Sequence, residues 1–410
     1  MMTQKFGLRF FTIQRFIFCI FFLYSDSDPS TLTRYILAQQ RKHPEATGDL
    51  TIILNAIQTA CKAITSSVRR AGLQNLYGLH GSTNATGDDV KKLDMISNDI
   101  FINTLKHTGR VAVMVSEENE EAIIYRPELE APTSPRLTGI SQNTTTSSTT
   151  NNSSISSGGD IDPHFAPKYI AVFDPLDGSS NIDCNVSVGS IFGIYRRKNE
   201  NLSLIPKAEE AYQPGTALVC AGYAMYGSST QLVVVFSEDI TAKRGVNIFT
   251  LDPSIGEFLL SHKHLKIPNN PQRIYSLNEG NSEAFPSYVR KFLHDVKQGN
   301  KPYTLRYVGS AVADIHRTLL YGGIFLYPST KAAPAGKLRL LYELNPMAAI
   351  MEAAGGRGIT GMPPKEPNGS TRILDIIPTS LHEKGTVILG CTRDVDLLEK
   401  YMNDELTASK

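Results

Sequence analysis

A short apolar run followed at once by acidic residues limits the folds that this chain can adopt. Residues Tyr169 to Phe173 predict a buried strand, whereas Asp174 to Asn181 (Asp-Pro-Leu-Asp-Gly-Ser-Ser-Asn) predicts a turn. Carboxylates bind hard cations such as Mg²⁺, and a Gly-Ser-Ser turn offers N–H groups to a phosphate. The stretch therefore predicts a loop that holds a metal and a phosphate side by side. The alternative is an ordinary Asp-Pro turn whose second aspartate caps the next element.

The length and charge of the chain narrow the class of protein. A chain of 410 residues is too long for one hydrophobic core and predicts two domains. The formal net charge of +1 gives no reason to expect nucleic acid or a membrane surface as a partner. The five cysteines are scattered without a CxxC pair, which argues against a disulfide framework or a zinc site. A reducing, cytoplasmic compartment is the expectation.

Two segments fall outside the predicted fold. Residues 1–30 form an N-terminal extension in which basic residues precede the apolar run Phe16 to Tyr24. This pattern fits a disordered tail, a cleaved targeting segment or an anchor, although the run is too short to span a bilayer comfortably. Residues 127–167 are rich in Pro, Ser, Thr, Asn and Gly, and they predict a disordered surface insertion because they can bury little apolar surface.

Helical and extended patterns alternate along the rest of the chain. One helix starts at Thr47-Gly48-Asp49 and stops at Gly72, and another begins at Asp94. The polar residues 263–270 predict a linker between two α/β-type units. Strands are predicted over 111–115, 187–195, 217–224, 231–236, 246–251, 273–277, 324–327 and 338–342. Further helices are predicted over 285–296, over 310–320 and from Asn345 to Gly355.

Acidic residues recur at the predicted strand ends and loop edges. They are Asp88, Asp94, Glu117, Glu118, Asp174, Asp177 and Glu343. So many carboxylates in one pocket would repel each other unless cations neutralised them. Two or three Mg²⁺ ions would do so, and a multi-metal site can polarise a phosphoryl group. If the acids converge, the chain is equipped to hydrolyse a phosphate ester.

A second set of residues is basic and aromatic. It comprises Arg306, Tyr307, Tyr327, Lys337 and Arg339. Cations beside tyrosine hydroxyls suit a second phosphate on a polyol. The alternative is surface charge beside core tyrosines.

Several motifs together resemble one family. They are Gly81 to Asn84, Val90 to Asp94, Val115 to Glu118, Asp174 to Asn181, Tyr275 to Gly280, Arg306 to Ser310, Gly322 to Pro328 and Gly336 to Glu343. With them the chain resembles the eukaryotic class I fructose-1,6-bisphosphatases of the inositol-phosphatase-like superfamily. The Asp174 loop is shared across that superfamily, whereas Lys337 to Glu343 together with Arg306-Tyr307 is more specific.

The resemblance implies a fold and a reaction. The fold is a two-domain α+β or α/β arrangement with layers α/β/α/β/α, assembled as a homotetramer. A phosphatase and AMP-binding domain would span residues 31–265, and a sugar-phosphate domain residues 266–410. The reaction is Mg²⁺-dependent hydrolysis of the 1-phosphate of fructose 1,6-bisphosphate in gluconeogenesis, with Mn²⁺ or Zn²⁺ as other possible metals. The alternatives are a related phosphatase acting on sedoheptulose bisphosphate or inositol phosphates, and a non-catalytic regulatory member.

The resemblance also implies roles for individual residues. Asp94 and Glu118 would help to deprotonate the attacking water, and Arg306 would reach into the site of a neighbouring subunit. The implied metal ligands are Glu117, Asp174, the Leu176 carbonyl, Asp177 and Glu343, with Asp88 contributing to a further metal position and to catalysis. The implied substrate-binding residues are Ser179, Ser180, Asn278, Tyr307, Tyr327, Lys337 and Arg339.

One position departs from the family pattern, and one further site is implied. A tyrosine usually follows Asn-Glu-Gly in the family and donates a hydroxyl to the 6-phosphate, but this chain has Asn281 there. The amide is shorter, so we expect weaker 6-phosphate binding rather than loss of activity.

The allosteric AMP site of the family maps onto Thr47, Gly48, Thr51, Lys168, Tyr169 and Arg196. AMP inhibition is therefore expected.

Overall fold

The structure is a computed structural model that describes residues 30–74, 76, 78–83, 89–125, 166–199, 201–202, 204–298, 300–361 and 371–408. The N-terminal extension up to residue 29 lies outside these ranges, as does Asp88. The predicted insertion also lies outside them except at its end. There Ala166 and Pro167 are buried just ahead of a strand, so the insertion ends before them.

Eight strands form the larger sheet. In sheet order they are β10 (Glu257–Leu265), β9 (Val246–Asp252), β8 (Thr230–Phe236), β7 (Leu218–Tyr226), β6 (Val188–Arg196), β5 (Tyr169–Asp177), β3 (Val111–Ser116) and β4 (Ile123–Ile124). Only the β3–β5 pair is parallel among these described strands. The predicted strands are present with small boundary shifts, but the linker predicted from residue 263 was wrong at its start. Residues His262 to His264 are polar because they lie exposed on an edge strand that extends to Leu265.

Five strands form the second large sheet. In order they are β12 (Thr304–Leu305), β11 (Ile274–Ser276), β13 (Ile324–Tyr327), β17 (Val387–Gly390) and β15 (Arg357–Ile359). Two small antiparallel sheets of two strands each pair β1 (Leu79–Thr83) with β2 (Asp89–Lys91), and β14 (Leu338–Arg339) with β16 (Lys384–Gly385).

The strand predicted over 338–342 was wrong in its second half. The strand ends at Arg339, and residues Leu340–Leu344 form a π-helical turn that leads directly into the next helix. All five residues of the turn are buried, so they lack the one-sided burial of a strand with one face to solvent. Glu343 therefore projects from a helical turn and not from a strand end.

The helices form three layers around the two large sheets. They are α1 (Leu32–Gln40), α2 (Asp49–Arg70), α3 (Lys92–Lys106), α4 (Ser237–Ala242), α5 (Ser287–Gln298), α6 (Ala311–Tyr321), α7 (Asn345–Ala353) and α8 (Thr392–Ala408). Helices α1 to α3 cover one face of the eight-stranded sheet, α6 and α7 lie between the two sheets, and α5 and α8 cover the outer face of the five-stranded sheet.

This arrangement confirms the predicted α/β/α/β/α layering. A separate hydrophobic core fills the space on each side of the eight-stranded sheet, and a third lies under α5 and α8. Within the described ranges, no helix has the length and apolarity needed to cross a bilayer.

Candidate active site

Three buried carboxylates meet between the two large sheets. Asp174 and Asp177 lie near the end of β5, where the pairing with β6 becomes irregular. Glu343 lies in the π-helical turn before α7. The oxygens that these side chains can offer to a metal all lie within 4.8 Å of one another. The exposed fraction of the three residues is 2%, 7% and 3%, respectively. The structure thus brings together side chains that are far apart in the sequence.

Each of these carboxylates is held by a backbone N–H group. Asp174 Oδ1 accepts a hydrogen bond from the Leu176 N–H (2.9 Å), and Asp177 Oδ2 accepts one from the Val312 N–H at the start of α6 (2.9 Å). Glu343 Oε2 accepts one from the Arg339 N–H (2.6 Å). The directions of the side chains are therefore set by three different elements.

Burial and mutual repulsion raise the pKa values of this cluster. Burial, followed by the charges of Glu117, Asp177 and Glu343, raises the pKa of Asp174 well above its usual range. Burial also raises the pKa of Glu343 well above its usual range, although Arg339 opposes the shift. The pKa of Asp177 rises to about 6, again mainly through burial. Such carboxylates stay ionised together near neutral pH only when cations neutralise them.

The donor set fits a hard divalent cation. It consists of the carboxylate oxygens of three residues that line the cavity together with Leu176. Oxygen ligands of this kind suit Mg²⁺ and Mn²⁺, whereas Zn²⁺ more often takes nitrogen and sulfur. The residues present could therefore hold a metal ion.

Arg339 connects Glu117 to this cluster. One guanidinium nitrogen, Arg339 Nη2, lies 2.9 Å from Glu117 Oε1, and Nη1 lies 3.9 Å from Glu343 Oε2. Both Glu117 and Glu118 follow strand β3, and both line the same cavity as the three-residue cluster. The carboxylates predicted at two strand ends thus converge, with one arginine neutralising part of their charge.

Asp94 lies on another wall of the cavity with its carboxylate buried. Its Oδ2 accepts a hydrogen bond from the Lys91 N–H (2.7 Å) at the start of α3, and the residue is 3% exposed. Burial raises its pKa to about 7. A carboxyl group that titrates near neutral pH can accept a proton from a reacting water.

The turn after β5 supplies the hydroxyl groups of the site. Ser179 and Ser180 open a short 3₁₀ helix and line the cavity. Gly178 precedes them with φ = 75°, and a Cβ there would lie 3.0 Å from the Cβ of Ser310. Only glycine meets both conditions without strain, which explains why the turn needs the Asp-Gly pair.

The cavity has a volume of about 510 Å³ and also contains residues of the predicted basic and aromatic set. Tyr307, Tyr327 and Lys337 line it together with Arg339. Burial, with the charges of nearby groups, raises the pKa of Tyr307 to about 12, so its hydroxyl stays a hydrogen-bond donor. Lys384 lines the same cavity and was not predicted, because it lies more than forty residues beyond the motifs.

Three predicted substrate residues lie outside the cavity lining. Asn278 and Asn281 are exposed at a short 3₁₀ helix, where Asn278 Oδ1 accepts a hydrogen bond from the Gly280 N–H (3.2 Å). Arg306 is also exposed, and one of its nitrogens donates to the Leu305 carbonyl (3.0 Å). Asp88 lies outside the described residues.

The residues of the predicted AMP set gather around the start of α2. Asp49 is the centre of the group: Thr47 Oγ1 donates to it (2.7 Å), and Lys168 Nζ lies 3.8 Å from it. Tyr169 pairs with Arg196 across β5 and β6, next to Lys168. Gly48 precedes the helix with φ = 86°, and Thr51 Oγ1 donates to Gln40 on α1 (2.6 Å).

One basic residue of this second group was not predicted. Arg110 Nε lies 3.2 Å from Asp49 Oδ1, so two cations and a hydroxyl share one carboxylate. Arg110 precedes β3 in the sequence, and no local pattern distinguishes it from a surface cation. The group lies at the start of β5 and the start of α2, whereas Asp174 and Asp177 lie at the other end of β5.

Family models match most of the chain. The model for the fructose-1,6-bisphosphatase N-terminal domain matches residues 30–133 and 146–263, and the model for the C-terminal domain matches residues 267–403. Together they include all residues of the acidic cluster.

Similar proteins and structures carry the same family name. Fructose-1,6-bisphosphatase 1 of Mus musculus is 48% identical over 380 residues, which cover 92% of this chain and 96% of that protein. A cytosolic fructose-1,6-bisphosphatase of Oryza sativa subsp. indica is 46% identical over 374 residues, covering 90% and 94%. The holo structure of Leishmania major fructose-1,6-bisphosphatase superimposes with a TM-score of 0.75 at 40% identity, covering 92% of this chain and 100% of that chain.

Proposed function

The chain belongs to the fructose-1,6-bisphosphatase family and is a phosphatase, and we propose that it removes the 1-phosphate of fructose 1,6-bisphosphate with the help of Mg²⁺. One observation carries the metal dependence: Asp174, Asp177 and Glu343 are buried with their ligand oxygens within 4.8 Å of one another. These three residues would hold a divalent cation, whose charge would neutralise the carboxylates and polarise the 1-phosphate. We propose Glu117, the Leu176 carbonyl and Asp88 as further ligands for two or three ions.

The reacting water needs a base close to the acidic cluster. We assign this role to Asp94 with Glu118, because both line the cavity and the pKa of Asp94 is raised to about 7. The hydroxyls of Ser179 and Ser180, together with N–H groups at the start of their 3₁₀ helix, would bind the 1-phosphate.

The other phosphate needs cations and hydrogen-bond donors at a distance from the metals. Lys337, Tyr307 and Tyr327 line the cavity and provide a charged group and two hydroxyls. Asn278 and Asn281 would contribute from the edge of the site, with Asn281 a weaker donor than the tyrosine of the family. Arg339 contacts the acidic cluster and would approach the sugar. Arg306, which is exposed, would complete the site of a neighbouring subunit in a homotetramer.

The group around Asp49 supports an allosteric role for AMP. Lys168 and Arg196 supply positive charge, Thr47 and Thr51 supply hydroxyls, and Tyr169 supplies a ring. Such a combination suits a nucleoside monophosphate. We propose that AMP binds there and inhibits the enzyme, and that the protein acts in the cytoplasm, as the names of its plant relatives indicate for those proteins.

A substrate comparison tests the proposed function. Phosphate release is measured from fructose 1,6-bisphosphate, sedoheptulose 1,7-bisphosphate and inositol 1-phosphate, with Mg²⁺ and then with EDTA. We expect the highest kcat/KM for fructose 1,6-bisphosphate and loss of turnover in EDTA. A preference for inositol 1-phosphate, or turnover that EDTA leaves untouched, would contradict the proposal. The variant Glu343→Gln is expected to lose at least about 100-fold in kcat because a ligand charge is removed.

A further inference from the structure

Asp314 is a buried acid of the cavity wall that none of the roles above uses. It lies on the first turn of α6 and is 0% exposed. Its carboxylate accepts hydrogen bonds from the Val308 N–H (3.0 and 3.1 Å to the two oxygens) and from the Gly309 N–H (3.0 Å). These amides belong to the loop that carries Tyr307. One carboxylate therefore holds the backbone directly after the tyrosine.

The Asp314 carboxylate with the Val308 and Gly309 N–H groups forms an anchor for the loop, and two further contacts extend it. Arg317 Nη2 donates both to Asp314 Oδ1 (2.7 Å) and to the Arg306 carbonyl (2.9 Å), so the backbone is also held directly before Tyr307. Ser276 Oγ donates to Asp314 Oδ1 (2.9 Å) from β11, the strand that precedes Asn278. The anchor thus connects the two segments assigned above to the sugar and the 6-phosphate.

The same helix start contacts the metal-binding half of the cavity. The Val312 N–H donates to Asp177 Oδ2 (2.9 Å), and Ser310 Oγ lies 3.4 Å from the same oxygen. The 306–309 loop is also joined to the serine turn, because Asn181 Nδ2 donates to the Gly309 carbonyl (3.0 Å). The first turn of α6 is therefore bonded on one side to a carboxylate of the metal cluster and on the other to the Tyr307 loop.

We propose that Asp314 is a positioning residue which sets the separation between the two phosphate-binding halves and so makes the site selective for bisphosphates. The inference rests on the proposed function, since it takes Tyr307 as a 6-phosphate ligand. A helix turn is stiff, so a loop bonded to it stays at a constant distance from Asp177. Displacing a positioning group by about 1 Å can cost about 100-fold in rate.

The test compares two substrates that differ in the 6-phosphate. The value of kcat/KM is measured for fructose 1,6-bisphosphate and for fructose 1-phosphate in the full-length protein and in Asp314→Asn. Asparagine keeps the size of the side chain, but its NH₂ group cannot accept from the loop amides. We expect the ratio of the two values to fall about 10- to 100-fold. The bisphosphate KM should rise more than kcat falls.

A matched control removes a similar charge elsewhere. Asp375 forms an i,i+3 pair with Arg372, as Asp314 does with Arg317, but it does not line the cavity. Asp375→Asn should leave the substrate ratio unchanged. An unchanged ratio in Asp314→Asn, or equal losses for both substrates, would overturn the role of Asp314. Wild-type protein that releases phosphate from neither substrate would overturn the proposed function as well.

A second variant allows the role of Asp314 to be tested if Asp314→Asn does not fold. Arg317→Lys retains the positive charge beside Asp314 but removes the rigid guanidinium whose Nη2 donates to both oxygens. We expect a smaller fall of the same ratio, about 3- to 10-fold, with an unchanged melting temperature. A ratio equal to that of wild type in this variant would count against the anchor.

Discussion

Individual carboxylates in this cavity have different surroundings, and their pKa values differ accordingly. Burial among other acids raises the pKa values of Asp174 and Glu343 well above their usual range, whereas the pKa of Asp177 rises to about 6. Asp94 lies against the start of α3 with a pKa near 7. The closely spaced negative charges thus favour the binding of cations, and Asp94 remains suited to proton transfer.

Stability without metal should fall as the pH rises. A carboxyl group whose folded pKa is raised binds its proton more tightly in the folded state. Its contribution to the free energy of unfolding is therefore full below the unfolded pKa and is lost as the pH rises through the folded pKa. The ordinary pKa of both groups is 3.8, so the loss begins near that pH and is complete at about pH 6 for Asp177 and about pH 7 for Asp94. We expect the Tm in EDTA to fall as the pH rises from about 4 to about 7, and Mg²⁺ to restore it most at the upper end of this window. Thermal melts measure both effects.

A variant and a contrary outcome complete this test. Asp174→Asn removes one of the repelling charges, so its Tm in EDTA should depend less on pH than that of wild type. If the Tm in EDTA instead rose with pH across this window, the carboxylates would not be repelling each other in the folded protein.

The asparagine at position 281 should weaken binding of the 6-phosphate. A tyrosine hydroxyl reaches further than the amide, and a hydrogen bond to a charged group is worth about 1.5–3 kcal/mol. Asn281→Tyr is therefore expected to lower the KM for fructose 1,6-bisphosphate about tenfold. Asn281→Phe is the matched control, because it adds the ring without the hydroxyl and should not lower the KM. Steady-state kinetics that give Asn281→Tyr an unchanged KM would show the idea to be wrong.

At the scale of elements, turns and helix starts determine where the site residues point. The π-helical turn Leu340–Leu344 turns Glu343 toward β5, which a continued strand would not do. The start of α6 holds both Asp177 and the Tyr307 loop. The start of α2, with Asp49 paired to Lys168 and Arg110, forms the second polar site.

The start of α2 is the element to test for AMP. Lys168→Ala removes a cation next to Asp49, so the AMP concentration for half inhibition should rise about tenfold or more, while activity without AMP stays near wild type. Lys198→Ala, an exposed lysine just beyond β6, is the control and should leave inhibition unchanged. Wild-type enzyme that keeps full activity at millimolar AMP would remove the site from the proposal.

At the scale of the whole molecule, five layers bring distant parts of the sequence to one cavity. Helices α6 and α7 lie between the two large sheets and contact both. The acids at the ends of β3 and β5 therefore share one cavity with Tyr307, Tyr327 and Lys337. Arg306, like Asn278 and Asn281, is exposed and does not line the cavity of its own chain.

Mixed oligomers test whether Arg306 serves a neighbour. Arg306→Ala should raise the KM about tenfold, since a charged contact to the phosphate is lost. Glu343→Gln should be inactive but retain Arg306. Hybrids of the two variants should regain a wild-type KM at the Arg306→Ala sites. Hybrids that keep the raised KM, or a wild-type protein that is monomeric by light scattering, would contradict the shared site.

The sequence alone was sufficient to predict most strands, the principal helices and most of the acidic residues that line the cavity. Apolar periodicity and turn residues are local properties, so the sequence shows where a strand ends and which side chain follows it. Prediction failed where the environment overrides local pattern. The run Leu340 to Leu344 is apolar enough for a strand, yet complete burial between two sheets allows a helical turn.

Only the tertiary structure decided which residues meet. Lys384, Arg110 and Asp314 carry no motif, and each acquires its position through contacts with parts of the chain far away in sequence. The convergence of Asp174, Asp177 and Glu343 within 4.8 Å likewise depends on how the sheets pack. Residue type determines what a side chain can bind, whereas packing of the layers determines which side chains share one ligand.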